Sequence, residues 1–152
     1  MTTAPPPLIG ALLRITHEAV RQQVLADVRA AGFELSSAEF AVMQYPGPDG
    51  LRPIDLAKQC NVSKQGVNYL LAGLMERGYI ERRPSPGRKA NAIYLTSRGR
   101  ALAQAMRASI ASLERGWSRQ VGAKRYDELR ATLYQIAASF SELARPAPAG
   151  TS

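Results

Sequence analysis

The sequence has one cysteine, Cys60, and one histidine, His17. A single thiol closes no internal disulfide, and one imidazole with one thiol builds neither a metal cage nor a nucleophile–base pair of the usual kind. No stretch approaches the roughly 18 apolar residues that a membrane span needs. The opening MTTAPPPLIG has neither the basic region nor the apolar core of a secretory signal. Paired catalytic carboxylates, a glycine-rich phosphate loop and internal repeats are also missing. These absences argue against an enzyme and against a secreted disulfide scaffold, and they predict a cytoplasmic protein that uses no metal and no cofactor.

Acidic residues are also few: 12 Asp plus Glu stand against 20 Lys plus Arg. The surplus is local. Residues 51–107 hold eleven basic residues and three acidic ones, Asp55, Glu76 and Glu81, whereas the rest of the chain is balanced at nine of each. A neutral body with one basic middle is the electrostatic footprint of a polyanion-binding protein, and nucleic acid is the partner it predicts.

The 152 residues suffice for one domain with a core. Residues 1–7 and 145–152 are rich in Pro, Ala, Ser and Thr and are expected to be disordered. Between them the pattern is mostly helical. A first helix over residues 8–31 ends at Gly32 and carries a weak stripe of Leu12, Ile15, Ala19, Gln22 and Ala26. Ser36 with Glu39 three residues on forms a capping box, and Leu35 and Phe40 fall where a hydrophobic staple sits; this second helix should stop near Tyr45, before PGPDG. Pro53 opens a third helix, PIDLAKQC, with Ile54, Leu56, Ala57 and Cys60 expected inward. After the turn Asn61-Val62-Ser63, Ser63 caps a fourth helix that Gly78 terminates. Two extended runs, 80–83 and 91–95, flank a Pro/Gly/basic tip and predict a β-hairpin. Thr96 caps a fifth helix. After Gly122 a last helix carries Tyr126, Leu129, Leu133, Ile136, Phe140 and Leu143 at alternating steps of three and four, a seam able to pack on its own body or on another copy.

The fourth helix has two unlike faces. At about 100° per residue, Val67, Leu70, Leu71 and Leu74 gather on one side and Gln65, Asn68, Tyr69, Ala72 and Glu76 on the other. The outward face is polar but uncharged for its first two turns, with Lys64 at its margin. Charged groups bind phosphate whatever the sequence, while amides and hydroxyls read base edges, so this is the face of a helix that enters a groove. Gln65 and Asn68 suit adenine, and Ala72 a thymine methyl. Gly66 and Gly73 interrupt the helix at a cost of roughly 1 kcal/mol each against Ala. The third helix, short turn and fourth helix read as a helix-turn-helix, and the basic hairpin with Arg82, Arg83, Arg88 and Lys89 makes it a winged one. The predicted fold class is mainly α with a small β-wing, in which residues 35–95 form the winged helix-turn-helix and residues 8–34 and 96–144 supply flanking helices.

The run LAKQCNVSKQGVNYLLAGLMERGYIERRPSPGRKANAIYLTSRG resembles the core of the MarR family of multiple-antibiotic-resistance regulators, most specifically at Leu56-Ala57…Val62-Ser63, at RGYIERR and at Leu95-Thr96…Gly99. The resemblance implies a homodimeric transcription factor, usually a repressor, that small aromatic or phenolic ligands release from DNA. It implies that the first and last helices form the dimer interface, here Leu12, Ile15, Tyr126, Leu129, Leu133, Ile136 and Phe140, and that the ligand cleft borders His17, Tyr45 and Trp117. Trp117 and Tyr126 suit either an aromatic pocket or dimer core, and His17 reads equally as a partly exposed helix residue. Family wings commonly carry Asp-x-Arg near the tip, where this chain has Gly87, Arg88 and Lys89, and the recognition helix often has Arg at the position of Tyr69. Peroxide-sensing relatives place their cysteine in the first helix, so Cys60 reads as a structural thiol rather than a redox switch.

Two copies would set two recognition helices about one DNA turn apart on a pseudo-palindrome. Ser63, Lys64, Gln65, Asn68 and Tyr69 would face the groove, and Lys58, Lys64, Arg82, Arg83 and Arg98 would meet phosphates and make binding salt-sensitive. The alternative is an architectural DNA-binding protein with little sequence specificity; the ratio of specific to non-specific affinity separates the two.

Overall fold

The computed structural model describes residues 5–44, 47–87 and 90–140. They form α1 (Ile9–Ala30), α2 (Ser37–Met43), α3 (Pro53–Cys60), α4 (Lys64–Glu76), β1 (Ile80–Pro84), β2 (Asn91–Leu95), α5 (Ser97–Val121) and α6 (Ala123–Ala138). The class is the expected one, mainly α with a β-wing. The chain divides into two compact units, Met1–Ile110 and Ala111–Ser152. Among the described residues no helix is long and apolar enough to cross a membrane.

In the first unit the local signals set the helix ends. The Ser36 hydroxyl accepts from the Glu39 N–H (3.2 Å) and the Glu39 carboxylate from the Ser36 N–H (2.9 Å), closing the capping box of α2. Pro53 begins α3, and Asn61 ends it in the left-handed region at φ 53°, a conformation Asn tolerates well. The Ser63 hydroxyl then accepts from the Gly66 N–H at 3.0 Å and starts α4. That helix stops where Gly78 turns to φ 75° and the Tyr79 N–H reaches back to the Leu74 carbonyl at 3.0 Å.

β1 and β2 pair antiparallel, with Arg82 opposite Ile93 and Glu81 opposite Tyr94. The segment before α3 joins this hairpin. Leu51 bridges Ile93, the Gly50 N–H donates to the Ile93 carbonyl (2.6 Å), the Ile93 N–H to the Leu51 carbonyl (2.8 Å), and the Leu95 N–H to the Asp49 carboxylate (2.9 Å). At the other end Thr96 accepts the Gly99 N–H, capping α5, and its hydroxyl donates to the Gly78 carbonyl. Val24, Phe40, Leu56, Leu71, Tyr79 and Leu102 are among the fully or almost fully buried side chains at the centre. The Tyr79 hydroxyl accepts from the Glu34 N–H at 2.9 Å, so this buried phenol is satisfied.

Several expectations need correcting. The core-facing residues of α1 are Val24 and Val28, with Val20 and Leu25 partly covered, whereas Leu12 and Ile15 are 45% and 52% exposed and Ala19, Gln22 and Ala26 are exposed as well. Two overlapping stripes lie on this helix, and the β-branched one, stepping by four, won the core. Ile54 is exposed, leaving Leu56 and Ala57 to bury α3. Helix α2 ends at Met43, short of Tyr45, which lies outside the described residues, as do Arg88, Lys89, Leu143 and the tail at 145–152. Of the N-terminal stretch expected to be disordered, residues 5–7 are described and carry no regular element.

In the second unit, Gly122 turns the chain at φ 92° between α5 and α6. None of the α6 side chains is buried. Burial and the nearby Glu114 carboxylate raise the pKa of the half-exposed Tyr126 phenol.

Candidate nucleic-acid interface

Packing decides which side of α4 is offered outward. Val67, Leu71 and Leu74 are buried, so Gln65, Tyr69, Ala72 and Glu76 face solvent, with Asn68 half-buried beside them. Tyr69 is 81% exposed, an aromatic ring with no structural duty in the fold. Ser63 and Lys64 stand at the N-terminal edge of this face, and Lys58 is exposed on α3. Among the described residues neither lysine is paired with a carboxylate.

The basic residues that sequence alone treats alike are divided by the structure. Arg77 is paired with Glu39, Arg52 with Asp55, and Arg83 with Glu81. The Arg52 hydrogen bond holds the Asp55 pKa below its ordinary value. The pleat separates Arg82 from Arg83. Arg83 lies on the side with Glu81 and stacks on the Tyr94 ring at 4.2 Å. Arg82 lies on the side toward α4, where its guanidinium donates to the Asn68 side-chain oxygen at 3.1 Å. Arg98 is exposed, but its guanidinium covers the rings of Tyr79 (5.4 Å) and Phe33 (5.9 Å), which gives it packing partners besides any phosphate.

Sequence reasoning left Gly73 unexplained. A Cβ there would stand 2.6 Å from the Glu39 carboxylate and 3.3 Å from the Arg77 guanidinium. Gly73 therefore leaves room for the ion pair that ties α2 to the end of α4. The signal lay in Glu39, whose capping-box role concealed its second role. A Cβ on Gly66 would meet the capping Ser63 hydroxyl at 3.1 Å, so this glycine too has a local reason.

A cleft of about 150 Å³ opens in the first unit, lined by Met43, Gln44, Pro48, Met106, Arg107 and Ile110 among others. His17 is not in its wall; that ring is exposed and lies 6.4 Å from Phe40. Trp117 belongs to the second unit and Tyr45 lies outside the described residues. Among the described residues that line the cleft, Arg107 is the single cationic group, and sequence alone did not single it out. Cys60 is half-buried, donates to the Ala41 carbonyl at 3.4 Å, and has its pKa raised by burial, opposite to the shift of a reactive thiol.

A capped helix-turn-helix, an antiparallel hairpin behind it and an outward face uncharged over its first two turns define a winged-helix DNA-binding module. The MarR family profile matches residues 40–89, the segment containing α3, α4 and the hairpin. Among solved structures, the transcriptional repressor CouR bound to a 23-mer DNA duplex is similar over 86% of this chain and 92% of its own, at 26% identity and TM-score 0.65. The Mycobacterium tuberculosis MarR family protein Rv2887, in complex with p-aminosalicylic acid, is similar over 86% and 99%, at 28% identity and TM-score 0.63. MepR, a transcription regulator of the Staphylococcus aureus multidrug efflux pump MepA, shares the fold over 89% and 100%, at 22% identity and TM-score 0.62. No curated protein gives a significant match. Residues 40–89 are thus similar to the MarR family, and the fold is that of solved MarR-family transcriptional regulators.

Proposed function

We propose that the protein is a homodimeric, sequence-specific repressor that a small aromatic acid releases from a pseudo-palindromic operator. The observation that carries this reading is the outward face of α4, where Gln65 and Tyr69 are exposed, free of charge and flanked by Lys64. Such a face reads base edges, while Lys58 and Lys64 hold phosphates. Two uncovered apolar surfaces support the second copy: Leu12 and Ile15 on α1, and Leu129 and Ile136 on α6 with Phe140 just after it. Exposure of that kind is typical of an association surface. CouR on DNA and Rv2887 with p-aminosalicylate support the repressor and the ligand class.

The cleft beside Arg107 suits the effector. Its volume matches a single aromatic ring, Met43, Met106 and Ile110 supply apolar walls, and Arg107 supplies a partner for a carboxylate. Gly47, Pro48 and Leu95 also line it, at the two sides of the seam that joins the chain before α3 to β2. A ligand that favours a wider cleft would shift that seam and, through it, the wing.

Selection from randomised duplexes tests the reading. An inverted repeat with half-sites about one turn apart, released by salicylate-like acids in the intact protein but not in Arg107→Ala, is the expected result. Salt-dependent binding with no enriched sequence would favour the architectural alternative instead.

A further inference from the structure

Asn68 and Arg82 meet across two elements, and the direction of their hydrogen bond changes what each can do at DNA. The Arg82 guanidinium donates to the Asn68 side-chain oxygen at 3.1 Å. To read adenine, Asn must offer that same oxygen to the base N6 group. Arg82 takes one of that oxygen's two acceptor positions and sets the orientation of the amide, which gives Asn68 a task other than the adenine role expected of it. Arginine carries five N–H donors on a rigid fork, and one bond to Asn68 leaves the others for a second partner. Among the described residues no carboxylate pairs with Arg82, in contrast to Arg83, Arg77 and Arg52. Arg82 is exposed, on the side of β1 turned toward α4.

A free arginine on a surface strand samples many rotamers, and an acceptor that holds its plane removes part of that entropy before DNA arrives. Two parallel N–H groups presented from a fixed plane match guanine O6 and N7. We infer that Arg82 reads a guanine in the major groove and that Asn68 is the positioning residue that aims it, so that the wing strand and the recognition helix together specify one G·C pair in each half-site. This rests on the proposal above that the outward face of α4 reads base edges, here in the major groove.

Duplex selection with the intact protein and three variants tests it. The wild type is expected to enrich a G·C pair at one position of each half-site. Replacing that pair by A·T should weaken its binding roughly 5- to 150-fold, the equivalent of a bidentate contact. In Arg82→Ala the ratio should fall to about one at that position only, with melting unchanged because the side chain is exposed. Asn68→Ala should blunt the same preference, whereas Asn68→Asp should retain it, since a carboxylate still accepts from Arg82 while lowering overall affinity. Two outcomes overturn the inference while leaving DNA reading intact. In one, Arg82→Ala weakens every sequence alike and lowers the salt slope by about one, the behaviour of a phosphate contact. In the other, the selected pair is A·T and is lost in both Asn68 variants. A wild type that selects no motif removes the groove-reading proposal and this one together.

Discussion

A Cβ on Gly99 would stand 1.8 Å from the Tyr79 carbonyl oxygen, a distance no side-chain shift can relieve because the obstacle is backbone. The first turn of α5 must press against the segment between α4 and β1, where the same Tyr79 carbonyl accepts the Thr96 N–H at 3.0 Å. Gly99→Ala is expected to destabilise the fold by about 3 kcal/mol or more, read by chemical denaturation, because over-packing against fixed backbone is the costly kind. Cys60 makes the opposite point. Burial raises its pKa, so at neutral pH it stays a thiol. Alkylation by iodoacetamide at pH 8 should run several-fold slower than in the unfolded chain. Because the folded pKa lies above the unfolded value of about 8.5, the thiol's effect on stability is absent at low pH; stability falls as pH rises through that value. A fast-reacting Cys60, or DNA binding that peroxide abolishes in the wild type and not in Cys60→Ala, would reinstate the redox switch.

At the scale of elements, α4 is fixed at both ends by side-chain contacts. Ser63 caps its start, and the Glu39–Arg77 pair grips its end through the space left by Gly73. Glu39→Ala removes both the reciprocal half of the capping box and the partner of a partly buried arginine, and should cost about 2–3 kcal/mol of unfolding free energy. Gly73→Ala should destabilise despite its better helix propensity, and an increase in melting temperature would show that the pair can move aside. Most of this level was legible in the sequence, since Ser36, Pro53, Ser63, Gly78 and Thr96 end or begin the elements by local hydrogen bonds that need no tertiary context. The choice of face on α1 was not. Leu12 and Ile15 are as apolar as Val24 and Val28, and only the neighbouring helices decide which pair is covered. In the site, the uncharged face of α4 was legible from its period, but the Asn68–Arg82 contact was not, because strand pleat and helix rotation must both be known.

At the scale of the whole molecule, a helix of 16 residues with nothing buried is marginal by itself in water. If α6 is held by a second copy, Leu129→Asp with Ile136→Asp should convert a dimer into a monomer in sedimentation experiments and reduce operator affinity to that of a single half-site. Loss of helicity on dilution should accompany it. A variant that remains dimeric would place the interface elsewhere.

The bond between Leu51 and Ile93 has a topological meaning. It ties two points 42 residues apart and encloses α3, α4 and β1 in one closed loop of chain. Closing such a loop costs entropy once, and every contact inside it then forms at a smaller further cost. The Ile93 amide, donating to Leu51, becomes a reporter on the whole enclosure: its hydrogen exchange should slow to the rate of global opening, while the wing strand beyond it exchanges sooner. Helix α4 is thus sealed into a cooperative enclosure, and its rigidity is settled by the chain's own closure before any partner is met.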